Sequence, residues 1–226
     1  MLGILAASEK ELQPLLDVME VQETRNKSML TFYRGEVNDS ELVCVFSGVC
    51  KVNAALACQL MLDEFKPTSV IVVGVAGAIS ESLDILDTVL ASQLSYHDVD
   101  KTILTEYHPW METHFFNVNE ELSQEIYEAS ESKYPLYKGL IVTGEQFIDH
   151  EGRDQIVATY HPLAVDMETA AVAHVCYVND VPFAAIRTIS DTPFKSGNRV
   201  FNDNLITASE RAVAVLLNYI KSLAQK

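Results

Sequence analysis

The run Ser69-Val70-Ile71-Val72-Val73, closed by Gly74, constrains this chain more than any other segment. Consecutive β-branched apolar residues do not suit a half-wet surface, so they read as a strand buried on both faces of a sheet. Such a strand needs helices on either side, and the neighbouring text supplies them. Residues 2–7 read as a short buried strand. Ser8 then caps a helix in which Leu12, Leu15, Leu16 and Met19 recur at helical spacing. Phe32-Tyr33 and residues 42–46 read as strands, and an Ala- and Leu-rich helix follows over 51–64, stopped by Pro67. Residues 88–91 and 140–142 are further strands, with a polar helix over 120–132 between them. Val165-Asp166-Met167-Glu168 ends a strand and opens a small-residue helix through Val178. Residues 183–189 form another buried strand, and an amphipathic helix over 202–223 follows. Strands alternate with helices almost throughout, which predicts an α/β fold around one central sheet. No repeat or linker interrupts it, so residues 1–226 are expected to form one domain.

Composition narrows the function classes. Thirty-two acidic against sixteen basic residues give a net charge of −16. That field repels a phosphate backbone, so nucleic acid is not expected as a partner. No stretch reaches the ~20 apolar residues that a membrane span needs. Met1–Ala7 leads directly into Ser8-Glu9-Lys10-Glu11 and reads as a strand, not a signal peptide. Cys44, Cys50, Cys58 and Cys176 lie in apolar text without a Cys-x-x-Cys pair, as expected of buried free thiols in a reducing cytoplasm. The six histidines lack metal-ligand spacing, so no metal is expected.

Glu11, Ser47, Gly77, Phe147, Glu168 and Asp191 fall just after strand ends, where α/β sheets bind ligands. Two carboxyls in one pocket can cleave a glycosidic bond: one protonates the leaving group, the other activates water and supports a cationic sugar. Asp191, after an apolar strand, suits the acid, since partial burial raises a carboxyl's pKa. Ser-Asp-Thr also simply starts turns. Glu11 suits the water-activating role, yet Ser8-x-x-Glu11 is also the capping-box pattern. Glu168 can accept from ribose hydroxyls or merely favour a helix start. Phe147 can stack on a flat base or fill a core.

Taken together, these segments resemble the methylthioadenosine/S-adenosylhomocysteine nucleosidases of the purine nucleoside phosphorylase superfamily. The matching text is residues 3–11, Ser47-Gly48-Val49-Cys50-Lys51-Val52-Asn53-Ala54-Ala55, residues 73–78, Tyr96-His97-Asp98, residues 142–148, 165–171 and 187–191. The resemblance implies a three-layer domain with a central mixed β-sheet flanked by helices, and a homodimer that completes part of the pocket from its partner. It implies Asp191 as the acid towards adenine and Glu11 as the water-activating carboxylate. Phe147 would stack on adenine and Ile148 contact it through its backbone. Met167 would lie beneath the ribose, whose hydroxyls Glu168 would hold. Gly77 would allow close approach to the ligand, Ser190 and Arg187 would support Asp191, and Phe201, with Val49 from the second motif, would meet the substrate. No cofactor is implied.

This chain departs from the family text at Val75, at Cys50, which replaces a glycine, at Asp166, which replaces a glutamate, and across 101–116. The last segment faces the partner's 5′ pocket in the family, which leaves the 5′ group open. Phosphorylases of the superfamily carry an arginine-bearing glycine loop after the first strand. Here Ser8-Glu9-Lys10-Glu11 stands in that place, and its carboxylates repel a phosphate dianion. Hydrolysis of methylthioadenosine or S-adenosylhomocysteine is the expectation. A nucleosidase for another purine nucleoside (futalosine-type or adenosine) and a non-catalytic nucleoside-binding paralogue are the alternatives.

Overall fold

Residues 69–73 do form the central strand. In a computed structural model, which describes residues 1–130, 133–149 and 151–224, they open β5 (Ser69–Ala78). Val70 and Val72 face one helical layer, and Ile71 and Val73 face the other; all four are fully buried. Burying a side chain of this size contributes about 1.5–3 kcal/mol.

The first strand, β1 (Leu2–Ala6), leads through α1 (Glu9–Leu16) to a β-meander of β2 (Glu20–Lys27), β3 (Leu30–Val37) and β4 (Ser40–Phe46). Next come α2 (Lys51–Phe65), β5, β6 (Thr88–Tyr96), the single turn α3 (Ile103–Glu106) and the short β7 (Phe116–Asn117). The chain continues through α4 (Glu120–Ser130), β8 (Leu136–Thr143), α5 (Arg153–Tyr160), β9 (Ala164–Asp166), α6 (Thr169–Val178), β10 (Phe183–Asp191) and α7 (Asn198–Leu223). Helices α1, α4 and α7 cover one sheet face, and α2 and α6 the other. The result is a single three-layer α/β domain on a mixed sheet.

That sheet curls until it closes. β5 pairs with β10, β10 with β6, β6 with β8, β8 with β9, and β9 returns to β5. From this ring a wing extends through β1, β4, β3 and β2. The parallel strands β4, β1, β5 and β10 end together, so the loops after them gather at one place.

Three expectations need correction. The strands β2 and β7 and the helices α3 and α5 are additional to those expected: β2 is mostly polar and exposed, β7 and α3 span only two and four residues, and α5 buries only Ile156. Helix α7 starts at Asn198, not Asn202, opened by Gly197 at φ 94°, which puts Phe201 in its first turn. Cys50 is only half-buried, whereas the other three thiols are buried as expected. The expected helix end at Ser132 lies outside the described residues.

Candidate active site

A cleft of about 310 Å³ opens where the strand ends gather. Glu11, Gly77, Phe147, Glu168 and Asp191 all line it, so the expected convergence occurs. Val49, Ile148, Met167, Ser190 and Phe201 line it too. Ser47 does not; its hydroxyl bonds Ala6 O and Gly48 O and ties β4 to β1.

Asp191 is the last residue of β10, next to a register shift that sets it opposite Gly77. Only 3% exposed, its carboxyl is raised above the ordinary aspartate range by burial; the Ser190 hydroxyl opposes this and Asp149 adds to it. That hydroxyl donates to Asp191 Oδ1 at 2.7 Å. Gly77 also bears on Asp191. A Cβ at Gly77 would lie 3.1 Å from Asp191 Oδ2, so the missing side chain makes room for the acid.

Glu11 settles the capping question by geometry. Ser8 stands at the N-cap of α1 but makes no side-chain cap bond. Its hydroxyl instead donates to Glu11 Oε2 at 2.7 Å, while Val75 N–H donates to Oε1 at 3.0 Å. The carboxylate is thereby turned towards the cleft. Gly74 makes this possible, because a Cβ there would stand 2.3 Å from Glu11 Oε1 and 2.6 Å from Arg187 Nη1.

Arg187 is fully buried beneath the cleft and does not line it. The expectation that it supports Asp191 is corrected. Its Nε lies 3.0 Å from Asp166 Oδ2 and donates to Thr169 Oγ1 at 2.9 Å. Nη2 donates to Glu168 Oε2 at 3.4 Å, and Nη1 lies 3.5 Å from Glu11 Oε1. One guanidinium thus serves three buried carboxyls, as an isolated buried charge would be too costly.

Glu168 occupies the N-cap of α6, yet its side chain makes no cap bond. Oε1 accepts from Cys50 N–H at 2.9 Å. Burial pushes its carboxyl up to about 7; Arg187 opposes the rise, Asp166 and Glu11 reinforce it, and the Cys50 amide lowers it. The capping falls to Asp166, which accepts from Thr169 N–H at 3.1 Å and from the hydroxyls of Thr143 and Thr169. Sequence reasoning noted Asp166 only as a departure. An Asp just before a helix is an N-cap signal that would have found its local role, though not its bond to Arg187.

The opposite wall is aromatic. Phe147 is 41% exposed on the cleft and belongs to no core cluster. Its ring meets Phe201 edge-on, with centroids 6.0 Å apart at 83°. A flat hydrophobic ligand suits that wall, and a polyhydroxylated one suits the carboxyls opposite.

Fold and site together define an α/β enzyme that works on a small molecule in a cleft at its strand ends. The chain belongs to the phosphorylase superfamily, whose family model matches residues 1–221. Among its relatives, the 5′-methylthioadenosine/S-adenosylhomocysteine nucleosidase of Listeria monocytogenes serovar 1/2a is 34% identical, over 98% of this chain and 99% of its own. The S. pneumoniae nucleosidase of the same name, solved with the transition-state inhibitor MT-ImmA, superposes with a TM-score of 0.89 at 30% identity, over 98% and 99% of the two chains. Futalosine hydrolase of Helicobacter pylori strain 26695 superposes with a TM-score of 0.89 at 29% identity, over 98% and 97%. The resemblance to the nucleosidases read from the motifs is borne out.

Proposed function

We propose that the protein hydrolyses the N-glycosidic bond of 5′-methylthioadenosine or S-adenosylhomocysteine, giving adenine and the 5′-thio-substituted ribose. The observation that carries this is a buried carboxyl with raised affinity for its proton, Asp191, sharing one cleft with Glu11 and Glu168. Asp191 donates its proton towards N7, and adenine leaves as a neutral base. Glu11, aimed by Ser8 and Val75, takes a proton from water as that water attacks the anomeric carbon. Glu168 accepts from the ribose hydroxyls, and Met167 lies beneath the ring. Phe147 stacks on adenine, Ile148 meets it through its backbone, and Val49 and Phe201 flank the 5′ arm.

The test is adenine release from methylthioadenosine with and without phosphate, with the sugar product resolved by chromatography. Free methylthioribose at a rate indifferent to phosphate is expected. A phosphorylated sugar overturns the reading.

The match to the Helicobacter futalosine hydrolase, equal in TM-score to that of the S. pneumoniae nucleosidase, supports a second reading in which the substrate is a futalosine-type nucleoside. Rates on a panel of 5′-substituted nucleosides separate the two. A homodimer belongs to the same proposal. Val52 and Leu56 expose one stripe of α2, Tyr177 is exposed on α6 beside it, and Tyr107 and Trp110 are exposed in the nearby 101–116 segment. Apolar exposure of this kind marks an interface. We place the enzyme in the cytoplasm, clearing thio-nucleosides and feeding methionine salvage.

A further inference from the structure

Phe147 is placed by its loop and not by the core, so whatever pins residues 144–149 sets the aromatic wall. Gly144 N–H donates to Asp166 O at 3.1 Å. Glu145 N–H donates to Asp98 Oδ2 at 2.9 Å, and Lys51 N–H donates to Glu145 Oε1 at 3.0 Å. Asp98 also grips Lys51 Nζ through both oxygens, at 2.8 and 2.9 Å. The ammonium sits over the Tyr96 ring, 5.2 Å from its centroid. One residue earlier, Cys50 N–H holds Glu168. Consecutive amides at the start of α2 therefore serve a cleft carboxyl and the Phe147 loop.

The Lys51 and Asp98 side chains are only 18% and 28% exposed, so this is not a solvated surface pair. Burial alone would raise the Asp98 carboxyl. Lys51 and the Glu145 amide outweigh that and hold it below the usual aspartate range, so its hydrogen bonds are charge-assisted at neutral pH.

We propose that Asp98 is a positioning residue for nucleoside binding: by joining Lys51 to the Glu145 amide, it holds the Phe147 loop in register with Glu168. The role in nucleoside binding rests on the function proposed above; the clamp itself does not. Asp98 does not line the cleft, so its loss should raise KM and spare kcat.

Two measurements on the full chain test this. Amide hydrogen exchange over residues 144–149 needs no substrate, and it should quicken in Asp98→Ala while the core strands keep their protection. Unchanged exchange overturns the clamp. The second is a double-mutant cycle on methylthioadenosine KM with Asp98→Ala and Phe147→Ala. Each single change is expected to raise KM about tenfold, and the pair little more than either alone. Additive effects overturn the positioning role. If Asp98→Ala does not fold, Asp98→Leu gives the same two readouts, since it keeps the bulk of the side chain and removes both oxygens that hold Glu145 N–H and Lys51. A wild type that cleaves no nucleoside sinks the functional proposal, while exchange still decides the clamp.

Discussion

Asp191 is a carboxyl whose surroundings strengthen its hold on a proton. Burial at the end of β10 raises its pKa, and Gly77 leaves space for its outer oxygen. Asp191→Asn keeps the shape and removes the proton, so kcat should fall by about 10²–10⁴, as measured by adenine release. The sign of the pH effect follows from the direction of the shift. In the proposed mechanism Asp191 works while protonated, so wild-type kcat/KM should decline as pH rises through the raised pKa, and any residual Asp191→Asn activity should lack that limb. A variant with full activity would remove Asp191 from the chemistry. At this scale the sequence was only half legible. Taken alone, Ser8-x-x-Glu11 favours a capping box over a site, and the bond that turns Glu11 away from the cap comes from the Val75 amide, far along the chain, which no local pattern reveals. Arg187 was misassigned for the same reason: its partners come from α1, β9 and the start of α6.

The start of α2 shows how an element carries strain for the site. Cys50 has φ 84° and ψ 160°, a region that is essentially glycine's own, and it costs about 1–3 kcal/mol for another residue. The conformation aims its N–H at Glu168. Cys50→Gly should keep that bond and raise stability by about 1 kcal/mol after the added flexibility of glycine, read as a higher denaturation midpoint with KM unchanged. A lower midpoint would mean that the thiol's packing outweighs the strain. Elements were legible where burial repeats along them. Strand β5 was plain because its four central side chains are wholly buried, and α2 and α6 because small and apolar residues run through them. Helix α5 was hidden because it buries only Ile156, and the first turn of α7, Asn198-Arg199-Val200-Phe201, because it serves the cleft as much as the core.

At the scale of the whole molecule, a closed ring of strands holds Asp191 on β10, Gly77 on β5 and Asp166 on β9 in fixed relation. The wing ends differently. Only one side of β2 is paired, to β3, so a row of backbone donors and acceptors faces outward. Its residues Glu20, Gln22, Glu23, Arg25 and Lys27 hid it from a search for apolar alternation. Charges on an open edge of this kind disfavour the recruitment of another chain as its next strand. Light scattering on the wild type should give twice the chain mass and no more. With Glu23, Arg25 and Lys27 all changed to valine, scattering should climb past the dimer and keep growing, while a mass that stays at the dimer would show the edge to be guarded by other means. The strand least readable as structure is thus the molecule's safeguard against aggregation.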